Sequence, residues 1–222
     1  MTAGPAAVLE AGATLALAEV VGRSVLGDVS ASGESAAVVF AAAVAIAALV
    51  LDGGPGSVVR AAARSAWLAV AAAAMIVAHA GGRIDARVVA GLGLGVGTVT
   101  LAAAGATRLL GALLGSPARG RLAVCIVIAL AGTAPLWLGP AVERLGAPET
   151  AVEAVVAVSP LTYLSVMGGY DYLHEDWFYV RSPVASLRFA YPAATVLTAG
   201  WLTLGVLLLH ASRVLPERWR RG

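Results

Sequence analysis

The stretch Val88-Val-Ala-Gly-Leu-Gly-Leu-Gly-Val-Gly-Thr-Val-Thr-Leu-Ala-Ala-Ala-Gly-Ala-Thr107 decides the fold. It contains no charged side chain. A helix rises about 1.5 Å per residue, so about 20 apolar residues cross the roughly 30 Å hydrocarbon layer of a bilayer. This stretch has that length, and it predicts a transmembrane helix. Its glycines add a second reading. Gly91 and Gly95 are four apart, as are Gly93 and Gly97, which makes two smooth helix faces. Helices in lipid associate through close backbone contact, and small residues permit it.

Working outward, five more windows fit the same template. They are residues 5–22, 35–51, 65–81, 122–139 and 193–211. The first carries Glu10 and Glu19, the third His79 and the last His210. The start has no basic region before its apolar run, and Glu10 interrupts that run. It therefore reads as a retained span and not as a cleaved signal. The expected fold is all-α: one polytopic membrane domain over residues 1–222, with six transmembrane helices and a long outer segment at 140–192.

Composition agrees. Of 222 residues, 59% are hydrophobic and 13% charged, against about 45–50% and about 25% in a soluble domain. Too little polar surface is present for an ordinary water-soluble enzyme. A net charge of +2 is too small to hold a nucleic acid by counterion release. The single cysteine, Cys125, excludes a disulfide framework and a Cys-rich zinc site.

All 15 basic residues are arginine. Counting arginines in alternate connecting segments gives nine on one side (Arg60, Arg64, Arg108, Arg119, Arg121, Arg213, Arg218, Arg220, Arg221) and three on the other (Arg23, Arg83, Arg87). The positive-inside rule then places both termini in the cytoplasm of a plasma (inner) membrane, with 140–192 outside.

That outer segment is the informative part. Thr150-Ala-Val-Glu153 reads as a capping box opening a short apolar helix. Ser159-Pro160 should end or bend that helix, because proline disfavours helix at the residue before it. A second apolar run, Leu161 to Met167, stops at Gly168-Gly169. Two half-helices around a proline predict a re-entrant hairpin, which survives at membrane depth only where protein or a wet cavity surrounds it. The alternative takes 151–167 as a seventh span and puts the arginine-rich tail outside. Next comes Tyr170-Asp-Tyr-Leu-His-Glu-Asp-Trp-Phe-Tyr-Val-Arg181. All five tyrosines fall between Pro160 and Pro192. Tyr170, Asp171, Tyr172, His174, Trp177 and Tyr179 form either an interfacial anchor or a recognition lip for a substrate or partner.

Signatures of chemistry are sparse. No Gly-x-Ser-x-Gly, His-Glu-x-x-His or nucleophile–base pair occurs. Neither a metal site nor a cofactor is expected. Glu10 and Glu19 are the candidates for a substrate path. They lie nine residues apart on roughly opposite helix faces, so they cannot form a carboxylate pair on one helix.

From Pro135-Leu-Trp-Leu-Gly-Pro140 onward, through Ser159-Pro160-Leu161-Thr162-Tyr163 to the last span and basic tail, the chain resembles permease subunits of type-2 ABC exporters. The haem-exporter and gliding-motility-like branches are included. The resemblance covers about 134–213. It implies six spans, cytoplasmic termini and a hairpin before the last span whose Asn/Ser-Pro-Leu-Thr element falls on Ser159, Pro160, Leu161 and Thr162. It also implies alternating access in a homo- or heterodimer driven by a separate cytoplasmic ATPase, with Arg60, Arg64, Arg119 and Arg121 as candidate contacts. The chain has no Walker motif of its own. Two other readings stand beside this one. The first is a non-catalytic membrane anchor or scaffold in an envelope or respiratory complex. The second is a proton- or ion-coupled carrier using Glu10.

Overall fold

A computed structural model describes residues 13–14, 16–20, 33–50, 58–80, 84–146, 148–182, 184, 187 and 189–214. Among these, regular structure is helical throughout. Residues 16–20 are helical. The longer elements are α1 (Gly33–Val50), α2 (Val58–Ala80), α3 (Ala86–Leu113), α4 (Pro117–Gly132), α5 (Ala134–Arg144), α6 (Glu149–Val158), α7 (Pro160–Gly168), the short α8 (Asp176–Tyr179) and α9 (Ala194–Val214). A 3-10 turn, Tyr172–His174, precedes α8.

Among the described residues, three helices are long and apolar enough to cross a membrane: Val59–Ala78, Ala86–Leu113 and Ala194–Val214. The α6–α7 pair passes the same test jointly but is bent by 88°, and Gly33–Leu49 is a shorter apolar helix. The spans outrun the charge-free windows. α3 continues past Arg108 to Leu113, and α2 begins at Val58, ahead of Arg60 and Arg64. A long arginine stem can lie along apolar surface while its head reaches a polar partner. Arg64 does so, donating from Nη2 to the Ala48 carbonyl in the last turn of α1 at 3.2 Å.

α3 is the centre of the bundle and packs against α1, α2, α4, α7 and α9. Its glycines explain how. A Cβ on Gly93 would stand 2.9 Å from the Ala69 carbonyl oxygen, and one on Gly97 would stand 3.1 Å from the Ala69 Cβ. That face takes α2. A Cβ on Gly91 would stand 2.9 Å from the Met167 carbonyl oxygen, and one on Gly95 2.9 Å from Leu164 Cδ2. That face takes α7. Farther along, Gly105 meets Gly205 and Leu208 of α9. These approaches are tight or closer than ordinary Cβ contacts, so both predicted smooth faces are used. In lipid such packing replaces the hydrophobic effect as the source of helix association.

The span predicted at 122–139 is not continuous. α4 ends at Gly132 and α5 restarts at Ala134 with Pro135 in its first turn. Proline has no N–H to give and its ring crowds the preceding turn. Side chains satisfy carbonyls around the joint. Thr133 Oγ1 donates to Ala129 (2.8 Å), Trp137 Nε1 to Leu130 (3.0 Å), Ser159 Oγ to Gly132 (3.1 Å) and Ser182 Oγ to Pro135 (2.6 Å).

The capping box is likewise corrected. α6 starts at Glu149 with Pro148 as its cap residue and no side-chain cap. Pro148 fixes φ at −61° and the helix begins two residues earlier than Thr150 would dictate. Glu149 then sits in the first turn, where the helix dipole favours an acid. The stop at Gly168-Gly169 stands, with Gly169 in the left-handed region at φ 67°.

Two cores result. One joins Val38 and Val44 of α1, Leu68 and Ile76 of α2, Leu92 and Val96 of α3, and Leu164 of α7. The other lies in a cap made by α5, α6, the 172–174 turn and α8, around Val152, Val156, Tyr172, Leu173 and Phe178.

Candidate functional site

The elbow between α6 and α7 is built on Ser159. Its backbone is extended (φ −77°, ψ 118°), so α6 ends and α7 begins in a new direction. Its side chain accepts from Thr162 N at 3.2 Å as the cap of α7 and donates to Gly132 at the α4–α5 joint. Pro160 follows at the first position of α7, where its missing N–H costs nothing. Ser159, Pro160, Thr162 and Tyr163 are all buried, while Leu161 lies half-buried between the two cores.

Tyr163 is the hub. Its hydroxyl donates to Thr198 Oγ1 of α9 at 3.0 Å and lies 3.0 Å from Thr98 Oγ1 of α3. Thr198 passes its own proton to the Ala194 carbonyl at 2.7 Å. Thr98 Oγ1 stands 3.0 Å from both the Tyr163 hydroxyl and the Gly95 carbonyl oxygen, so its single proton is shared between those two acceptors. The contacts Thr98–Tyr163–Thr198–Ala194 clasp α3, α7 and α9 together. The Tyr163 ring stacks on Trp201, with centroids 6.3 Å apart.

The residues of the proposed lip divide. Tyr172 is buried in the cap core, with its hydroxyl 2.8 Å from Thr162 Oγ1 and its ring edge-on to Phe178. Burial pushes its phenol up, and hydrogen bonds to Thr162 and Ser159 pull the other way. Tyr170 is half-buried against both cores. Trp177 and Tyr179 lie in α8. Asp171 and His174 face outward. The Asp171 carboxylate accepts from the Tyr191 hydroxyl and pairs with His174 Nδ1 at 2.7 Å. His174 stacks on Phe189, and Phe189 meets Tyr191 edge-on. This ring of four fastens the turn to the strand-like approach to α9. Burial, and then the neighbouring Asp171, raise the Tyr191 phenol well above its ordinary range.

Of the path candidates, Glu10 lies outside the described residues, and Glu19 is half-buried in the helical stretch 16–20. Arg60 and Arg119 are exposed, and Arg64 and Arg121 half-buried. Ser116 Oγ caps α4 by accepting from Arg119 N at 3.5 Å.

The pairings along α3 place these arginines. α2 and α4 run antiparallel to α3 and α9 runs parallel, since Gly97 meets Ser65, Gly111 meets Pro117 and Gly105 meets Gly205. Arg60, Arg64, Arg108, Arg119, Arg121 and Arg213 therefore gather at one end of the bundle. The acidic residues Asp85, Glu143, Glu149, Glu153, Asp171, Glu175 and Asp176 belong to the opposite end and its cap.

Among the described residues, no group of three or more His, Cys, Asp or Glu is arranged to hold a metal ion. The buried polar residues, apart from the tyrosines, are all Ser or Thr. Sequence reasoning missed Thr98, Thr198 and Ser182. The available signal was a threonine or serine inside an otherwise apolar segment, which has to find an acceptor.

Comparisons with protein-family models, curated proteins and solved structures give no match. What the fold defines is a helical membrane protein that has, among the described residues, three spanning-length helices, or four with the bent pair, and a glycine-faced central helix.

Proposed function

We propose that the chain is the membrane-spanning permease subunit of an ABC-type exporter, working as a homo- or heterodimer with a separate cytoplasmic ATPase chain. The observation that carries this reading is the α6–α7 pair, bent by 88° and seated on α3 immediately ahead of the final long helix. It is the element that the resemblance around Ser159-Pro160-Leu161-Thr162 implies. The six crossings are residues 5–22, α1, α2, α3, the 122–139 window made by α4 and the start of α5, and α9. The arginine end faces the cytoplasm of the inner membrane, and the cap faces outward. Gathering of six arginines at one end supports that orientation. Arg60 and Arg119 are then the exposed candidates for ATPase contact, whereas Arg64 closes the end of α1.

The test is purification from its native host in mild detergent. The reading expects an ATPase chain in the same complex, with hydrolysis that weakens in Arg119→Glu. Repeated recovery without any ATPase would sink it.

A second reading, a non-transporting anchor or scaffold subunit, draws on the buried polar set, which among the described residues holds hydroxyls and no carboxylate, guanidinium or imidazole. Recovery in a stable envelope complex that lacks nucleotide hydrolysis would favour it.

A further inference from the structure

We propose that α7 is a two-position element, held in the position seen here by the Tyr163 clasp, and that Ser165 is the hydroxyl that gains a partner in the other position. Ser165 is fully buried and its Oγ has no hydrogen-bond partner among the described residues. Other hydroxyls in these helices behave differently. Thr98, Thr100, Thr198 and Ser212 each reach a carbonyl three or four residues back in their own helix. A buried hydroxyl without a partner is unfavourable, and more so where no water replaces the bond. The seating of α7 seen here therefore leaves one of its three buried hydroxyl side chains unsatisfied, while Thr162 and Tyr163 are bonded.

The surroundings permit a shift. At one end α7 turns on the extended backbone of Ser159, and at the other on Gly169 with φ 67°. On α3, Gly91 and Gly95 let the α7 backbone and Leu164 approach closely, while Leu92 of α3 and Val38 of α1 pack at Gly168. Tyr163 makes side-chain hydrogen bonds from α7 to both α3 and α9, and Met167 Sδ accepts a longer one from Thr198 at 3.8 Å. Moving α7 breaks those bonds, releases the Tyr163 ring from Trp201 and lets Ser165 find an acceptor. The inference uses only the geometry of α7 and holds under either functional reading.

Trp201 is a built-in reporter. The full chain, labelled with 5-fluorotryptophan in lipid nanodiscs, gives a Trp201 fluorine resonance assigned by Trp201→Phe. The expected result is two populations, or exchange broadening, at Trp201 alone. Ser165→Ala removes the unsatisfied oxygen and shifts the balance toward the major form by about threefold or more, and Tyr163→Phe shifts it the opposite way. Ser165→Ala deletes one atom and no contact, so it remains decisive where Tyr163→Phe fails to fold. One sharp Trp201 resonance that Ser165→Ala does not move overturns the proposal. So does a shift shared by Trp67 and Trp137, which marks a global change.

Discussion

Ser159 and Gly132, 27 residues apart in sequence, are joined by a 3.1 Å hydrogen bond from the serine hydroxyl to the glycine carbonyl. The bond ties together the two places where the chain breaks its helices, the α4–α5 joint and the α6–α7 elbow. Neither break stands alone, because one side chain caps α7 and satisfies a carbonyl left over at the joint.

Ser159→Ala removes both bonds. Loss of a helix cap costs about 0.5–2 kcal/mol, and an unsatisfied buried carbonyl about 1–3 kcal/mol. Thermal unfolding in detergent should show a lower midpoint, and Ser159→Thr should recover part of it. An unchanged midpoint in Ser159→Ala would mean that the joint and the elbow are held independently.

Gly95→Leu puts a side chain where Leu164 already stands 2.9 Å from the Cβ position. The residue next to it, Leu94, is exposed on α3. Leu94→Ala should therefore leave folding yield near the parent value, while Gly95→Leu sharply reduces the monodisperse fraction in size-exclusion chromatography. Equal behaviour of the two variants would contradict α7 seating on the glycine face.

Tyr172 and Tyr191 should titrate above the ordinary phenol range of about 10. Their raised native values mean that the native state holds its phenol protons where the unfolded chain releases them. The stabilisation is present in full below about pH 10 and is lost as the pH climbs through the native values. Ultraviolet titration should show two tyrosines ionising late, together with unfolding. Asp171→Asn should bring Tyr191 down only in part, since burial is the larger cause.

Accessibility tests the proposed orientation. In a Cys125→Ala background, Arg119→Cys should react with an impermeant maleimide only after cells are opened, and Glu175→Cys should react in intact cells. The reverse pattern would invert the molecule.

The long apolar helices were legible because each is a run without charge, and both α3 faces followed from glycines four residues apart. The ends were not legible. Arg60, Arg64 and Arg108 lie within helices, because a charged head on a flexible stem can reach a polar partner from there. The break at Thr133 was hidden because Pro135 sits inside an apolar window, where hydropathy registers nothing. Thr150 failed as a cap because Pro148, two residues earlier, fixed the backbone first. The Thr98–Tyr163–Thr198 clasp joins residues 65 and 35 positions apart. No local pattern encodes such a meeting; only the folded arrangement of α3, α7 and α9 creates it.

At Gly93 and Gly105, α3 lies against the main chain of its neighbours, and that leaves those points little cushioning. Where bulky side chains interlock, a lost methyl can be absorbed by repacking nearby. Around Gly93 and Gly105 the facing atoms are backbone, which has no rotamer to change. An added methyl there acts as a shim, prising whole helices apart, so tolerance to substitution along α3 should alternate sharply between its bare sides and its greasy one.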